Sequence, residues 1–546
     1  MTANASSSSA TSRLEIDLLA AGRLPPLPAA FLEGRETDLL APMRPLPPGE
    51  LPHGDPPAVD RGELAAALAD ANAGWGHPRA AELAARLADP ATRVVVTGQQ
   101  PGLYGGPLLT LTKLAAAVRW AETLEAAGRP AVPVFWVATE DHDWDEMTRV
   151  ALLTRDGPKS YDLGADPEAL RPVGLRRFGD RLAELEERIR SDLDHDLAIA
   201  AFERARRRYR PDATFGDAFC RFLIDLLGER APLFLDALDP AVKRLQRPWL
   251  RRLVERRGEV SASLAAAHAE LERRGLPLQV TPQPGASPLF LITGGERRRI
   301  EWTEDGDGFT LRGGEGPAEP VARLLEIAED EPERLSPGVL ARPAVQDALL
   351  GTTLQIMGPA ETSYLAQAAA VHRVLGVPPL WTALRPQVMV LESRQIEQLG
   401  ELGVSLAEIL DQPVERLLAD RLGEDLVTPA QQRLEAVLDE LRAPLLAVDA
   451  TLESPWQKTR DQIGRAFEQL SSKHAKAVAR RHDVWLRRLE KIRESCLPEE
   501  HLQERHLSVV HFLARYGPSF VDAYWRDFEL DPRRLQVLEI DPGGGS

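Results

Sequence analysis

Two stretches decide the fold: RVVVTGQQPGLYGGPLLTLTK at 93–113 and VPVFWVATEDHDWDE at 132–146. Arg93–Thr97 is a short β-branched run that stops at Gly98, the pattern of a buried strand. Pro107–Ala127 then places Leu111, Leu114, Val118, Ala121 and Leu124 on one helical face. Gly128 and Pro130 supply the stop. Val132–Val137 is the next strand, so strand, loop, helix and strand make one βαβ unit. The pattern returns at Pro232–Asp236, which precedes a long helical stretch from about Pro240 to Arg274. It returns again at Thr353–Met357, followed by a helix over Glu361–Leu375. A parallel α/β core is the expected class.

Outward from these units the character changes. Residues 24–58 are rich in proline and lack periodicity, so they are expected to drape over a surface. The Ala/Leu pattern of 62–88 predicts one or two helices. Residues 175–230 read as a charged helical insertion, and 286–316 as a small antiparallel meander with Gly and Asp turns. From 396 to 495 the charge rises. Leu434, Leu438, Leu441, Leu445, Val448 and Leu452 alternate spacings of four and three, the seam of a coiled coil. Pro444 and Pro455 argue against one unbroken helix. A helical hairpin with a turn near 449–454 fits better, with Ser454 as N-cap and Pro455 at the first helical position. Arg480, Arg481, Arg487, Arg488 and Lys491 read as the solvated face of its second helix.

Composition narrows the function classes. The 546 residues carry a formal charge of −17, which opposes general binding to nucleic acid or to an anionic membrane surface. The N-terminal MTANASSSSATSR lacks a basic segment followed by an apolar one, so it reads as a disordered tail rather than an export signal. No run of about 18 apolar residues occurs, and no transmembrane helix is expected. Cys220 and Cys496 form no CxxC, which fits a reduced, cytoplasmic protein without a disulfide framework.

Three motifs carry chemistry. In the first, Thr97, Gly98, Gln99, Gln100 and Gly102 stand where a strand runs into a helix. Glycines allow close backbone approach, a helix N-terminus favours anions, and glutamines recognise hydroxyls or amides. Neither GxGxxG nor a Walker loop is present. The second gathers Glu140, Asp141, His142, Asp143, Asp145 and Glu146 at the carboxyl end of an apolar strand, where ligands of open sheets bind. Buried charge there needs a cation, a hydrogen bond or a substrate ammonium. Asp141-His142-Asp143 could hold a metal, orient a histidine base or bind an amine. The third is Gly358-Pro359-Ala360-Glu361, again strand into helix, where Glu361 serves either as a cap or in a shared crevice. Arg342 is a candidate for holding a carboxylate bidentately, or else a surface ion pair.

With these residues in view, TGQQPGLYGGPLLTLTK and VPVFWVATEDHDWDE closely resemble the cysteine ligase family of bacillithiol biosynthesis, the cysteine-adding enzymes. SPGVLARPAVQD at 336–347, IMGPAETSYLAQ at 356–367 and LPEEHLQERHLSVVHFLARYGPSF at 497–520 continue the match from about 90 to 525. The resemblance implies a Rossmann-like parallel-sheet core with helical connecting insertions and an α-helical coiled-coil domain that pairs protomers. It implies addition of cysteine to glucosaminyl malate, the last step of making bacillithiol. The expected division is a disordered tail and Pro-rich wrapping segment over 1–60, and the first part of the core over 61–175. A helical insertion with a core strand near 232–236 covers 176–275, and a small β-rich insertion 276–330. The second part of the core covers 331–395, the coiled coil 396–498, and a helical segment returning to the core 499–546.

In this reading Gln99, Gln100 and Gly102 line an anion or sugar pocket. Asp141 and Asp143 hold an ammonium, and His142 is the general base, its ordinary pKa near 6.5 suiting it to that work. Arg342 takes a malate carboxylate, and Thr97, Gly98, Glu140, Gly358 and Glu361 complete the substrate pocket. No metal ligands are assigned. The HIGH and KMSKS motifs of adenylating synthetases are absent, so ATP or another adenine nucleotide stays open as cofactor, as does a metal. Cysteine, glucosaminyl malate and a second copy of the chain are the expected partners. Two other classes stay alive: a metal-dependent hydrolase built on Asp141-His142-Asp143, and a nucleotide-binding coiled-coil assembly protein without catalysis.

Overall fold

The computed structural model describes residues 14–193, 196–314 and 316–542. The tail expected over 1–13 lies outside them, as does most of the DPGGGS end. Six parallel strands form the central sheet: β1 (Arg44–Pro45), β2 (Arg93–Gln99), β3 (Ala131–Val137), β4 (Leu233–Asp236), β5 (Thr352–Met357) and β6 (Trp381–Leu384). Their spatial order is β1-β6-β5-β2-β3-β4. The two motif strands, β2 and β3, are central and paired along their full length, from Arg93 opposite Ala131 to Gln99 opposite Val137. Both faces of β3 are buried, as the unbroken apolar run AVPVFWV requires.

The helix after the first motif, Leu109–Ala126, is buried on more than the single face its periodicity suggested, because Thr110, Thr112 and Lys113 are inside as well. A C-terminal segment covers its other side. Thr112 Oγ1 meets Tyr524 Oη at 2.9 Å, and Pro107 bridges Ser508.

Several expectations are corrected. Strand β2 runs past Thr97 to Gln99, because Gly98 pairs directly with Trp136. The stretch from Pro240 to Arg274 is two helices, Pro240–Glu255 and Arg257–Arg273, broken at Arg256 (φ −99°, ψ 24°). The Pro-rich segment does more than drape. It contributes β1 at the sheet edge and buries Leu39, Leu40, Met43 and Leu46. The C-terminal segment is helical only in part, since Arg534–Glu539 is a strand parallel to Gln387–Leu391 and antiparallel to Ile16–Asp17.

Strands Ala286–Thr293, Glu296–Trp302 and Gly308–Leu311 form the antiparallel meander, which Leu335–Pro337 extends toward the core. The helical hairpin turns at Asp449, between Val427–Val448 and Glu453–Arg481, with Pro444 inside the first helix. Ser454 is not the cap. The Asp449 carboxylate takes the Thr451 N–H at 2.8 Å, and the helix restarts at Glu453. The second helix ends at His482 and a further helix, Asp483–Cys496, continues. Among the described residues no helix is long and apolar enough to cross a membrane.

Candidate active site

Gly98 is required by the sheet itself. A Cβ there would stand 2.6 Å from the Trp136 carbonyl oxygen and 3.0 Å from its Cβ, so any side chain would push β2 off β3. The following loop is fixed in an uncommon backbone shape. Tyr104 has φ 50°, and its buried hydroxyl donates to Glu186 Oε1 at 3.0 Å, while the Gly105 N–H donates to Tyr209 Oη at 3.1 Å. A left-handed non-glycine residue is held only where its surroundings over-determine it. Here those surroundings are helices of the 181–227 insertion.

The helix N-terminus beyond the loop is not the open anion site that the sequence suggested. The Leu108 N–H donates to the Leu507 carbonyl at 2.9 Å, and the Val509 N–H to the Gly106 carbonyl at 2.8 Å. The returning C-terminal segment covers that end of the helix.

Instead, side chains at the carboxyl ends of β2, β3 and β5 open into a cavity of about 1420 Å³. A hydrogen-bonded chain crosses its floor. The Gly358 N–H donates to Glu361 Oε2 at 2.7 Å, and the same oxygen pairs with Lys113 Nζ at 2.7 Å. Lys113 also donates to Gln99 Oε1 and to the Gly98 carbonyl, each at 2.8 Å. Gln99 Nε2 donates to Gln100 Oε1 at 3.0 Å, and Gln100 Nε2 to Asp141 Oδ2 at 3.2 Å and Glu146 Oε2 at 3.1 Å. Each glutamine has one oxygen and one NH₂ group, so the chain fixes both amide orientations.

Both signs of charge line the cavity, with Lys113, Arg297, Arg342, Arg385 and Arg505 among the cations and Glu140, Asp141, Glu146 and Glu361 among the carboxylates. Arg385 is spoken for by a bidentate pair with buried Glu504, 2.7 and 3.0 Å. Glu140 is buried against Lys243, which also donates to the Leu335 carbonyl at 2.9 Å. Burial pulls the Lys243 ammonium below its ordinary range, against the upward pull of Glu140. Desolvation in the cleft pushes Glu146 up to about 7, helped by Asp143 and Asp141, although the side chain still meets solvent. Burial likewise lowers His142, helped by Arg297.

Of the residues singled out in the sequence, Gly98, Gln99, Gln100, Glu140, Asp141, His142, Arg342, Gly358 and Glu361 line this cavity. Thr97, Gly102 and Asp143 do not. Thr97 Oγ1 donates to the Ile356 carbonyl at 3.1 Å, tying β2 to β5. A Cβ on Gly102 would meet Gly106 Cα at 2.8 Å, so its place is a tight loop crossing. Asp143 caps the short helix Trp144–Thr148, accepting the Glu146 N–H at 3.3 Å. With Asp143 turned to that cap, the Asp-His-Asp sequence does not converge on one point. Among the described residues no group of three His, Cys, Asp or Glu is placed to hold a metal ion. Arg297, Arg385, Arg505 and Tyr364 went unnoticed in the sequence. The only available signal was their place in or near the motifs, as for Tyr364 within IMGPAETSYLAQ.

The comparisons with known proteins agree with this architecture. Residues 52–385 match the family model described as "Bacillithiol biosynthesis BshC, N-terminal Rossmann-like domain", and 388–540 match "Bacillithiol biosynthesis BshC, C-terminal coiled-coil domain". A protein of Salinibacter ruber is 32% identical over 495 residues, covering 88% of this chain and 89% of its own. One of Solibacter usitatus is 30% identical over 485 residues (83% and 86%), and one of Koribacter versatilis 33% over 443 (78% and 80%). All three carry the name "Putative cysteine ligase BshC". With both models matched in order and the Rossmann-like sheet and helical hairpin in their places, the chain belongs to the BshC family of bacillithiol biosynthesis.

Proposed function

We propose that this protein is a ligase that joins the carboxyl group of cysteine to the amino group of glucosaminyl malate, giving bacillithiol. The observation that carries this reading is the large cavity at the strand ends, lined by both cations and carboxylates, in a family whose relatives are named as cysteine ligases. A malate moiety brings carboxylates, which suit Arg342, a cation with neutral partners. The sugar amine and the cysteine amine arrive as ammonium ions, which suit Asp141 and Glu146. Free carboxylate and ammonium do not condense unaided, so an activating co-substrate, ATP in this reading, shares the space. The volume of about 1420 Å³ exceeds the roughly 300–1,000 Å³ of a single-ligand pocket.

The test is direct. Purified protein is given cysteine, glucosaminyl malate and ATP-Mg, each omitted in turn, and thiol product and nucleotide are followed by mass spectrometry. Product that needs all three, with AMP released, is expected from an adenylated intermediate. ADP would redirect the activation to an acyl phosphate. No product under any condition would remove the ligase reading.

The coiled coil supports a second part of the proposal, a homodimer. In the single chain Leu434, Leu438 and Leu452 are half-buried, but Leu441, Leu445 and Val448 lie 48%, 36% and 82% exposed. A heptad seam left open in this way fits a second copy. Sedimentation at micromolar concentration is expected to give twice the chain mass, and Leu441→Glu with Leu445→Glu to give one. A wild-type mass of one chain would refute it.

A further inference from the structure

His142 and Glu146 divide the proton chemistry in a way that chain order does not suggest. Arg297 Nη1 lies 3.3 Å from His142 Nδ1. A guanidinium has donors only, so Nδ1 meets it as an acceptor. Arg297 is itself fixed. It is 7% exposed, donates to Ser336 Oγ at 2.8 Å and the Pro337 carbonyl at 3.3 Å, and lies 3.9 Å over the Phe290 ring. An imidazole whose Nδ1 lone pair faces a fixed cation carries its one proton on Nε2 and resists a second. Burial and the charge of Arg297 hold its pKa down; Asp141 and Asp143 pull the other way, and Arg176 adds a smaller downward push. His142 is therefore equipped to donate from Nε2, not to take a proton.

Glu146 has the opposite equipment. One NH₂ group, that of Gln100, is shared between Glu146 Oε2 and Asp141 Oδ2. Two carboxylates bridged by a single amide lie in the cleft where an ammonium is expected. Asp141 and Asp143 crowd Glu146 from its own loop. Lys113 favours its charged form from the helix across the floor, and Glu361 opposes it from the helix after β5. This crowding raises the carboxyl group toward neutrality, where a general base is most effective, and its shared amide with Asp141 places it at the cavity wall.

We propose that Glu146 takes the proton from the attacking ammonium, and that His142, neutral, donates Nε2–H to the carbonyl oxygen of the activated cysteinyl group. This rests on the ligase reading. The ammonium gives one proton to the Glu146 carboxylate, leaving an amine and a carboxylic acid. The amine lone pair forms the C–N bond to the carbonyl carbon of a carboxylic–phosphoric anhydride of cysteine. The C–O bond to the phosphate breaks and its electron pair leaves with the phosphate oxygen; of the two protons still on nitrogen, one goes to water and the other stays as the amide N–H.

Two measurements on the full chain test this. In ¹⁵N-histidine NMR, with His142 assigned through His142→Gln, a neutral Nε2–H imidazole is expected at pH 7, and Arg297→Gln should raise its pKa. An Nδ1–H tautomer or an imidazolium at pH 7 would overturn the donor role. In rate profiles with substrates and ATP-Mg, the wild type should show a rising limb near pH 7. Glu146→Gln should lower kcat roughly 100- to 10,000-fold and flatten that limb. His142→Ala should lower kcat about 100- to 1,000-fold with the limb intact, and His142→Gln, which keeps an N–H donor, should recover part. An intact limb in Glu146→Gln, or a limb lost in His142→Ala, would sink the assignment alone. Absence of product from the wild type would sink the ligase reading beneath it.

Discussion

Replacing Lys243 by Met is expected to destabilise the chain by about 3–5 kcal/mol, the cost of breaking a buried ion pair from one side. Lys243 is fully buried, and Glu140, its partner, is 3% exposed. The methionine nearly matches the lysine stem in length, so packing is kept and the charge alone is removed. Glu140 is then a buried carboxylate without its lysine, and the Leu335 carbonyl loses its donor. The double variant Lys243→Met with Glu140→Gln should recover most of the loss, since the unpaired carboxylate is gone. Denaturant titrations of the single and double variants check this; equal stability in the two would mean that Glu140 finds another cation.

Arg342→Gln is expected to cost about 2–5 kcal/mol in recognition of the substrate's carboxylates, roughly 30- to 4,000-fold in kcat/KM. Lys113 and Arg385 have carboxylate partners in Glu361 and Glu504. Arg342 has neutral ones. Its Nη1 donates to Gln346 Oε1 at 2.9 Å and its Nη2 to Tyr364 Oη at 3.2 Å. Behind it, Gln346 donates to Asp347 at 3.2 Å, and Asp347 pairs with fully buried His372 at 2.9 Å. The guanidinium is oriented but its charge is not neutralised by direct contact, which leaves it for a ligand carboxylate. Calorimetry with malate alone should show binding to the wild type and its loss in the variant, with little change in folding stability. Arg342→Lys should not restore affinity, because an ammonium lacks the planar fork. Unchanged malate affinity in Arg342→Gln would move the carboxylate site elsewhere along the wall.

Strands β2, β3 and β5 and the helices between them were legible because a buried parallel strand must be apolar on both faces, and VPVFWV and RVVVT can be little else. The sheet-edge rule then located the cavity, since the last residues of such strands face the crevice whatever the ligand. Gln99, Gln100, Asp141 and His142 were found in this way. What local pattern could not give was contact across long separations. Leu507 closes the helix start near 108, Arg297 sits on His142 from 155 residues away, and Lys243 reaches Glu140 across 103. Thr97 and Asp143 misled for a related reason: their types suit a site, but nearby backbone groups claimed them first.

The sequence by itself determined the parallel α/β class, the βαβ order, the helical hairpin and the family, because periodicity and contiguous motifs are written in neighbouring residues. The tertiary structure alone decided which charges are free, which are paired, and which cation stands against His142. Protonation and charge pairing depend on burial and on partners within a few ångströms, and several of those partners come from segments more than 100 residues apart.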